Sequence, residues 1–180
     1  MQFPEIRLQK GIGIYFSILI LLLPAPWLVA GCVAAGVHEL CHVAALRILR
    51  YPVNQIRFCM SGARIITGPL SPFHELVCSL AGPLGGMMLI PLLQVWPMVC
   101  LFVVLQSLYN LIPLYPMDGG RAMRSIFTLL GLGDRMFAGW EILVSAFILA
   151  LGIWSAFRFE LGFPAVVISL FAVLPALSEK

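Results

Sequence analysis

The sequence predicts an all-α polytopic membrane protein of about six transmembrane helices, with a short re-entrant or interfacial β-hairpin after the second. Three observations predict it. Hydrophobic residues make up 61% of the 180 and charged residues only 11%, whereas a soluble domain carries about 25% charged residues. Mean hydropathy is +1.02, and apolar runs near the ~20 residues that cross a bilayer recur along the chain. Basic residues alternate with those runs so that nearly all fall on one side.

The spans follow in order. The first covers about residues 11–26 and stops at the Pro24-Ala25-Pro26 break. The second, about 27–49, contains the sequence VHELCHV. Next comes a less apolar segment, 51–68, with the core QIRFCMSGARIIT. Short β-prone stretches around Ser61-Gly62 read as a hairpin, with an ordinary cytoplasmic loop as the competing reading. Irregular or strand backbone survives at membrane depth only where protein or water satisfies it. The third span is about 72–93 and the fourth about 96–112, ended by Pro113 and Pro116. A polar stretch precedes the fifth, about 137–157, and the sixth, about 161–177.

The basic residues test this count. With six spans, Arg7, Lys10, Arg47, Arg50, Arg57, Arg64, Arg121, Arg124, Arg135 and Lys180 share one side, and Arg158 alone lies on the other. By the positive-inside rule that side is cytoplasmic, and both termini face it. A multi-pass protein of a bacterial inner membrane fits this pattern. The N-terminal MQFPEIRLQK is not read as part of a cleaved signal peptide, because no small-residue site follows the first apolar run. No basic tract suits nucleic acid. The five cysteines are scattered without C-x-x-C spacing, so a disulfide framework is not expected.

Within the apolar stretch from Gly11 to Leu46, the charged or imidazole residues are His38, Glu39 and His42 alone. Such groups are costly in a hydrocarbon environment and mark function. On a helix His38 and His42 stand at i and i+4 and share one face. Two imidazoles so placed can hold one zinc ion. Glu39, rotated by about 100°, reaches a water on the metal without being forced to ligate. A catalytic zinc site usually takes three protein ligands. His74, Glu75, Asp118 and Glu141 are candidates for the third. His42 lies about 7–8 Å along the helix axis from Arg47 at the cytoplasmic end. Asp118 also lies on that side, just before Arg121, in the sequence YPMDGG. Pro116 stops the preceding helix there, and Gly119-Gly120 permits a tight turn. Asp118 is therefore the preferred third ligand, over its reading as a turn or capping residue. His74-Glu75 reads better as an interfacial polar pair. Glu141 receives no catalytic role.

HELCH on an apolar helix, followed by NLIPLYPMDGG at residues 110–120 and SLAGPLGG at 79–86 between them, closely resembles the site-2 protease family of intramembrane zinc metalloproteases. Compact size and six short spans look most like its bacterial sporulation-type branch (stage IV sporulation protein FB-like). The resemblance implies one zinc ion on His38, His42 and Asp118, with Glu39 as general base and acid. It implies that Asn110, Pro113 and Pro116 position the substrate, and that the hairpin pairs with an unwound substrate strand by β-augmentation. Two positions depart from the family pattern: Cys41 stands where Gly is common, and Leu84-Gly85-Gly86 follows the Gly-Pro where many relatives have Asn.

The implied activity is hydrolysis of peptide bonds in membrane-tethered proteins near the cytoplasmic face. By family analogy the substrate is a sigma-factor precursor or an anti-sigma factor, with room for a regulatory membrane partner. One intramembrane domain, 1–180, is expected, with its catalytic core at about 27–125 and flanking spans at about 11–26 and 137–177. No PDZ or CBS domain is recognised. Two other readings compete: a metal transporter or sensor, and an inactive protease-like binding protein. The first needs a polar path across the bilayer, yet the outer halves of the spans are apolar. The second sits poorly with a complete H-E-x-x-H. A serine intramembrane protease is disfavoured because Ser61 lies in CMSG rather than G-x-S-G.

Overall fold

The computed structural model describes residues 5–8, 17, 20–59, 62–158 and 162–178. Its elements in chain order are β1 (Glu5–Leu8), α1 (Ala25–Ile48), β2 (Val53–Cys59), β3 (Gly62–Thr67), α2 (Pro72–Met88), α3 (Ile90–Leu93), α4 (Pro97–Asn110), α5 (Asp118–Leu129), α6 (Asp134–Arg158) and α7 (Gly162–Ser178). Two compact units divide the chain, Met1–Leu108 and Tyr109–Lys180. Half of the first expected span, 11–26, lies outside the described residues.

In the first unit α1 starts after Pro24, with Pro26 in its first turn, where a missing N–H costs nothing. It closes in a Schellman turn. Tyr51 N–H donates to Leu46 O at 2.9 Å, and Arg50 N–H to Arg47 O at 3.1 Å. Arg50 takes the left-handed conformation, with φ 61°, that glycine usually fills at this position. The chain then enters the hairpin, and 51–68 contains the two paired strands expected of it. β2 and β3 pair antiparallel from Val53↔Thr67 to Cys59↔Gly62. The sheet is larger than expected: β1 adds to β2 in parallel, Glu5↔Gln55 to Leu8↔Phe58. The base of the hairpin is tied where the Tyr51 hydroxyl and His74 Nδ1 share a hydrogen bond of 2.9 Å.

Ser71 caps α2, its hydroxyl accepting the His74 N–H at 3.3 Å, and Glu75 in the first turn complements the helix dipole. The expected third span, 72–93, is interrupted. α2 ends at Met88, and four residues containing Pro91 form the separate α3. Pro91 supplies no N–H and resists continuation of the helix. Small residues let α1 meet α4. Ala30, Ala34, Val99 and Val103 form a buried cluster, and Trp27 meets Phe102 edge to face at 6.2 Å.

In the second unit α5 ends in another Schellman turn at Gly131, with φ 72°. α6 and α7 pack together, with Leu114 and Val173 buried between half-buried Ile112, Val144, Ile148 and Leu149.

Two described helices, Ala25–Ile48 and Asp134–Arg158, are long and apolar enough to cross a membrane. Only 22% and 28% of their apolar windows are buried. A core helix of a soluble protein hides most of its apolar surface, so a lipid environment accounts for them better. Leu40, Ile48, Ile142, Leu143, Phe147 and Phe157 are all exposed on these two helices.

Overpacking tests the α1 core. Ala34 is 1% exposed, and Ala34→Leu should destabilise the chain by about 1–3 kcal/mol. Val29→Leu, on the exposed face of the same helix, should leave the unfolding midpoint in detergent unchanged.

Candidate metal centre

Helix geometry alone brings His38 and His42 together, and the structure shows how closely. Both side chains are buried, 5% and 6% exposed, and their Nε2 atoms lie 3.1 Å apart. Two donors each about 2.0–2.1 Å from a tetrahedral zinc ion stand roughly 3.3 Å from one another. The observed spacing therefore suits two ligands of one ion.

The tautomer of His42 is set by its other nitrogen. Nδ1–H donates to the carbonyl oxygen of Cys78, 2.7 Å away in α2. A carbonyl only accepts, so the proton must sit on Nδ1, and in the neutral ring Nε2 keeps its lone pair. This is how metal-binding histidines are commonly oriented. The ring also needs room. A Cβ at Gly82 would collide with His42 Nε2, Cε1 and Cδ2. Gly82 is the glycine of the Ala-Gly-Pro sequence, and its bare Cα is what allows α2 to lie against the histidine. One turn further on, Gly85 does the same for Cys41, whose Sγ would lie 2.7 Å from a Cβ there. The departure at position 41 is thus accommodated by Gly85. Sequence reasoning singled out SLAGPLGG but assigned Cys78 and Gly82 no task. The signal was the glycine spacing within a helix.

Asp118 is buried at the first turn of α5, where the positive end of the helix dipole favours a carboxylate. Arg121, one turn on, has Nη1 3.9 Å from its Oδ1. The segment before it is folded tightly. Leu114 N–H donates to Ile112 O at 2.8 Å and Met117 N–H to Leu114 O at 3.0 Å. Tyr115-Pro116 is a cis peptide. A Cβ at Gly119 would strike the carbonyls of Leu111 and Ile112, and one at Gly120 would strike Leu114 and Tyr115 N. Both glycines are therefore required by close backbone approach.

His38 and His42 in the first unit, and Asp118 in the second, are each buried and each offer an atom of the kind that ligates a metal ion. Two neutral imidazoles and one carboxylate are a donor set that zinc accepts. Glu39 is half-buried in the same turn as His38. Asn110 ends α4, and Pro113 and Pro116 are half-buried in the segment that follows. Among the other expected candidates, His74 is engaged by Tyr51. Glu141 is buried and accepts the Tyr115 N–H at 3.3 Å.

The fold and these residues define a membrane helical protein with a buried histidine pair in one unit and a buried aspartate in the other. Among solved structures the chain is similar to the Site-2 Protease from Methanocaldococcus jannaschii. The two share 19% identity with a TM-score of 0.65, over 99% of this chain and 93% of that one. The chain thus has a site-2 protease fold. No family model matches the sequence, and no curated protein matches it.

Gly82→Ala should push His42 off the Cys78 carbonyl and weaken zinc binding by about 10-fold or more, read by chelator competition on the purified protein. Gly36→Ala lies in the same helix as His42, and its added Cβ meets nothing within 4 Å. It should bind zinc as the wild type does.

Proposed function

We propose that this chain is an intramembrane zinc metalloprotease of the site-2 family, of the sporulation-type branch. It would act as a single domain on membrane-tethered protein substrates near the cytoplasmic face. The observation that carries the reading is the buried His38–His42 pair, with its Nε2 atoms 3.1 Å apart, on a fold shared with a site-2 protease. Six spans with both termini in the cytoplasm are supported by the ten-to-one division of basic residues. A bacterial inner membrane is the proposed location.

His38, His42 and Asp118 would hold one zinc ion. Bound there, zinc supplies a Lewis acid that brings the pKa of a coordinated water towards about 7 and polarises a carbonyl. The chain's own residues do the rest. Glu39, one residue after His38, accepts a proton from the attacking water on a carboxylate oxygen and delivers it to the departing amide nitrogen. The hydroxyl adds to the carbonyl carbon as the C–N bond breaks, so water is divided between the two products. His42 stays oriented by its bond to Cys78.

A substrate helix must unwind locally, because a closed helix hides its carbonyls in its own hydrogen bonds. Asn110, Pro113 and Pro116 would position the unwound segment. The β2–β3 hairpin would receive it as an added strand. Sigma-factor precursors and anti-sigma factors are the proposed substrate class, with a membrane partner as regulator.

The test is co-expression with single-span reporters carrying a Gly-Pro break near the cytoplasmic end of the helix. Glu39→Gln should reduce cleavage by about 10²–10⁴-fold while the purified variant retains its zinc. Undiminished cleavage would remove Glu39 from the mechanism. Asp118→Ala should lose bound zinc, and full retention would mean that another residue is the third ligand.

A further inference from the structure

Trp140 and Glu141, adjacent on α6, touch the segment that leads into Asp118, and the reaction proposed above uses neither. Glu141 is 7% exposed, and its Oε1 accepts the Tyr115 N–H at 3.3 Å. Trp140 Nε1–H donates to the Pro113 carbonyl at 3.3 Å. A carboxylic acid buried in an apolar helix is costly and is retained where it performs a task. The geometry points to Glu141 and Trp140 as positioning residues. From one turn of α6 they clamp the 113–116 backbone, and through it they set the Asp118 carboxylate. This inference rests on the zinc reading above.

The segment needs such a clamp. Pro113 and Pro116 have no N–H, so regular helix bonds cannot run through it. One side of it is already fixed by glycine. The nitrogen that a Cβ at Gly120 would strike is that of Tyr115, the same nitrogen whose proton Glu141 accepts. The Tyr115 amide is therefore held between the first turn of α5 and the α6 carboxyl. Met117 N–H bonds to Leu114 O at 3.0 Å and Arg121 N–H to Met117 O at 2.9 Å, which carries the constraint across Asp118. Trp140 is further fixed by its ring, 6.3 Å from that of Phe127 on α5. A shift at residue 115 has only two residues, Pro116 and Met117, in which to relax before Asp118.

The experiment uses the full chain in detergent, with zinc affinity from chelator competition and the visible spectrum of the Co²⁺-loaded protein. Glu141→Ala should weaken zinc about 10-fold or more and alter the cobalt spectrum. Glu141→Gln keeps an acceptor oxygen and should stay within about threefold of wild type. Trp140→Phe keeps a ring but loses the N–H, and should shift affinity and spectrum in the same direction as Glu141→Ala. A Glu141→Ala protein with wild-type affinity and spectrum overturns the clamp, as does a Glu141→Gln protein damaged as much as Glu141→Ala. Should Glu141→Ala fail to fold, wild-type behaviour of Trp140→Phe overturns it instead. A wild type that holds neither zinc nor cobalt overturns the metalloprotease reading and the clamp with it. A wild type that holds both, with variants that match it, overturns the clamp alone.

Discussion

The bond from His42 Nδ1–H to the Cys78 carbonyl is the contact on which the first unit depends. It joins the two helices at the level of the candidate ligands and decides which histidine nitrogen carries a lone pair. It can form only because position 82 has no side chain. Packing and chemistry are therefore one constraint here. The small-residue spacing Gly82, Gly86 brings α2 close to α1 and α4, and the same spacing places a carbonyl where an imidazole needs an acceptor. Closely packed helices with small residues at the seam are a general solution where hydrophobic burial supplies little drive between helices.

The second unit solves a different problem with similar means. A carboxylate has to be presented from irregular backbone within an otherwise apolar chain. Helix α5 supplies a favourable dipole to Asp118, Gly119 and Gly120 let the preceding carbonyls fold against its first turn, and α6 satisfies the amide of Tyr115 and the carbonyl of Pro113. Every polar backbone group so treated is one fewer needing water, which is the requirement that a membrane imposes on irregular segments.

Much of this was legible in the sequence. The i, i+4 histidines announce a shared face because helix periodicity is rigid. Asp118 stands as a proposed third ligand because it lies just before Arg121, as His42 lies five residues before Arg47. The hairpin is legible in the β-prone stretches on either side of the Ser-Gly pair. Other features were illegible for physical reasons. Glu5–Leu8 is only four residues long, and nothing local tells a strand that its partner lies about fifty residues away. The break between α2 and α3 falls beside Pro91, whereas Pro83 sits inside a continuing helix. A proline's effect thus depends on neighbours that sequence order does not reveal. The role of Glu141 required knowing which backbone amide it faces.

Cys41 and Gly85 share one small volume: the thiol occupies the space that a side chain at 85 would need. The two positions are therefore not independent variables for a diverging lineage. A larger residue at 85 becomes tolerable only after position 41 has shrunk, and the reverse order is blocked by collision. Change at this seam proceeds in paired steps, so the order in which substitutions arise matters as much as their identity.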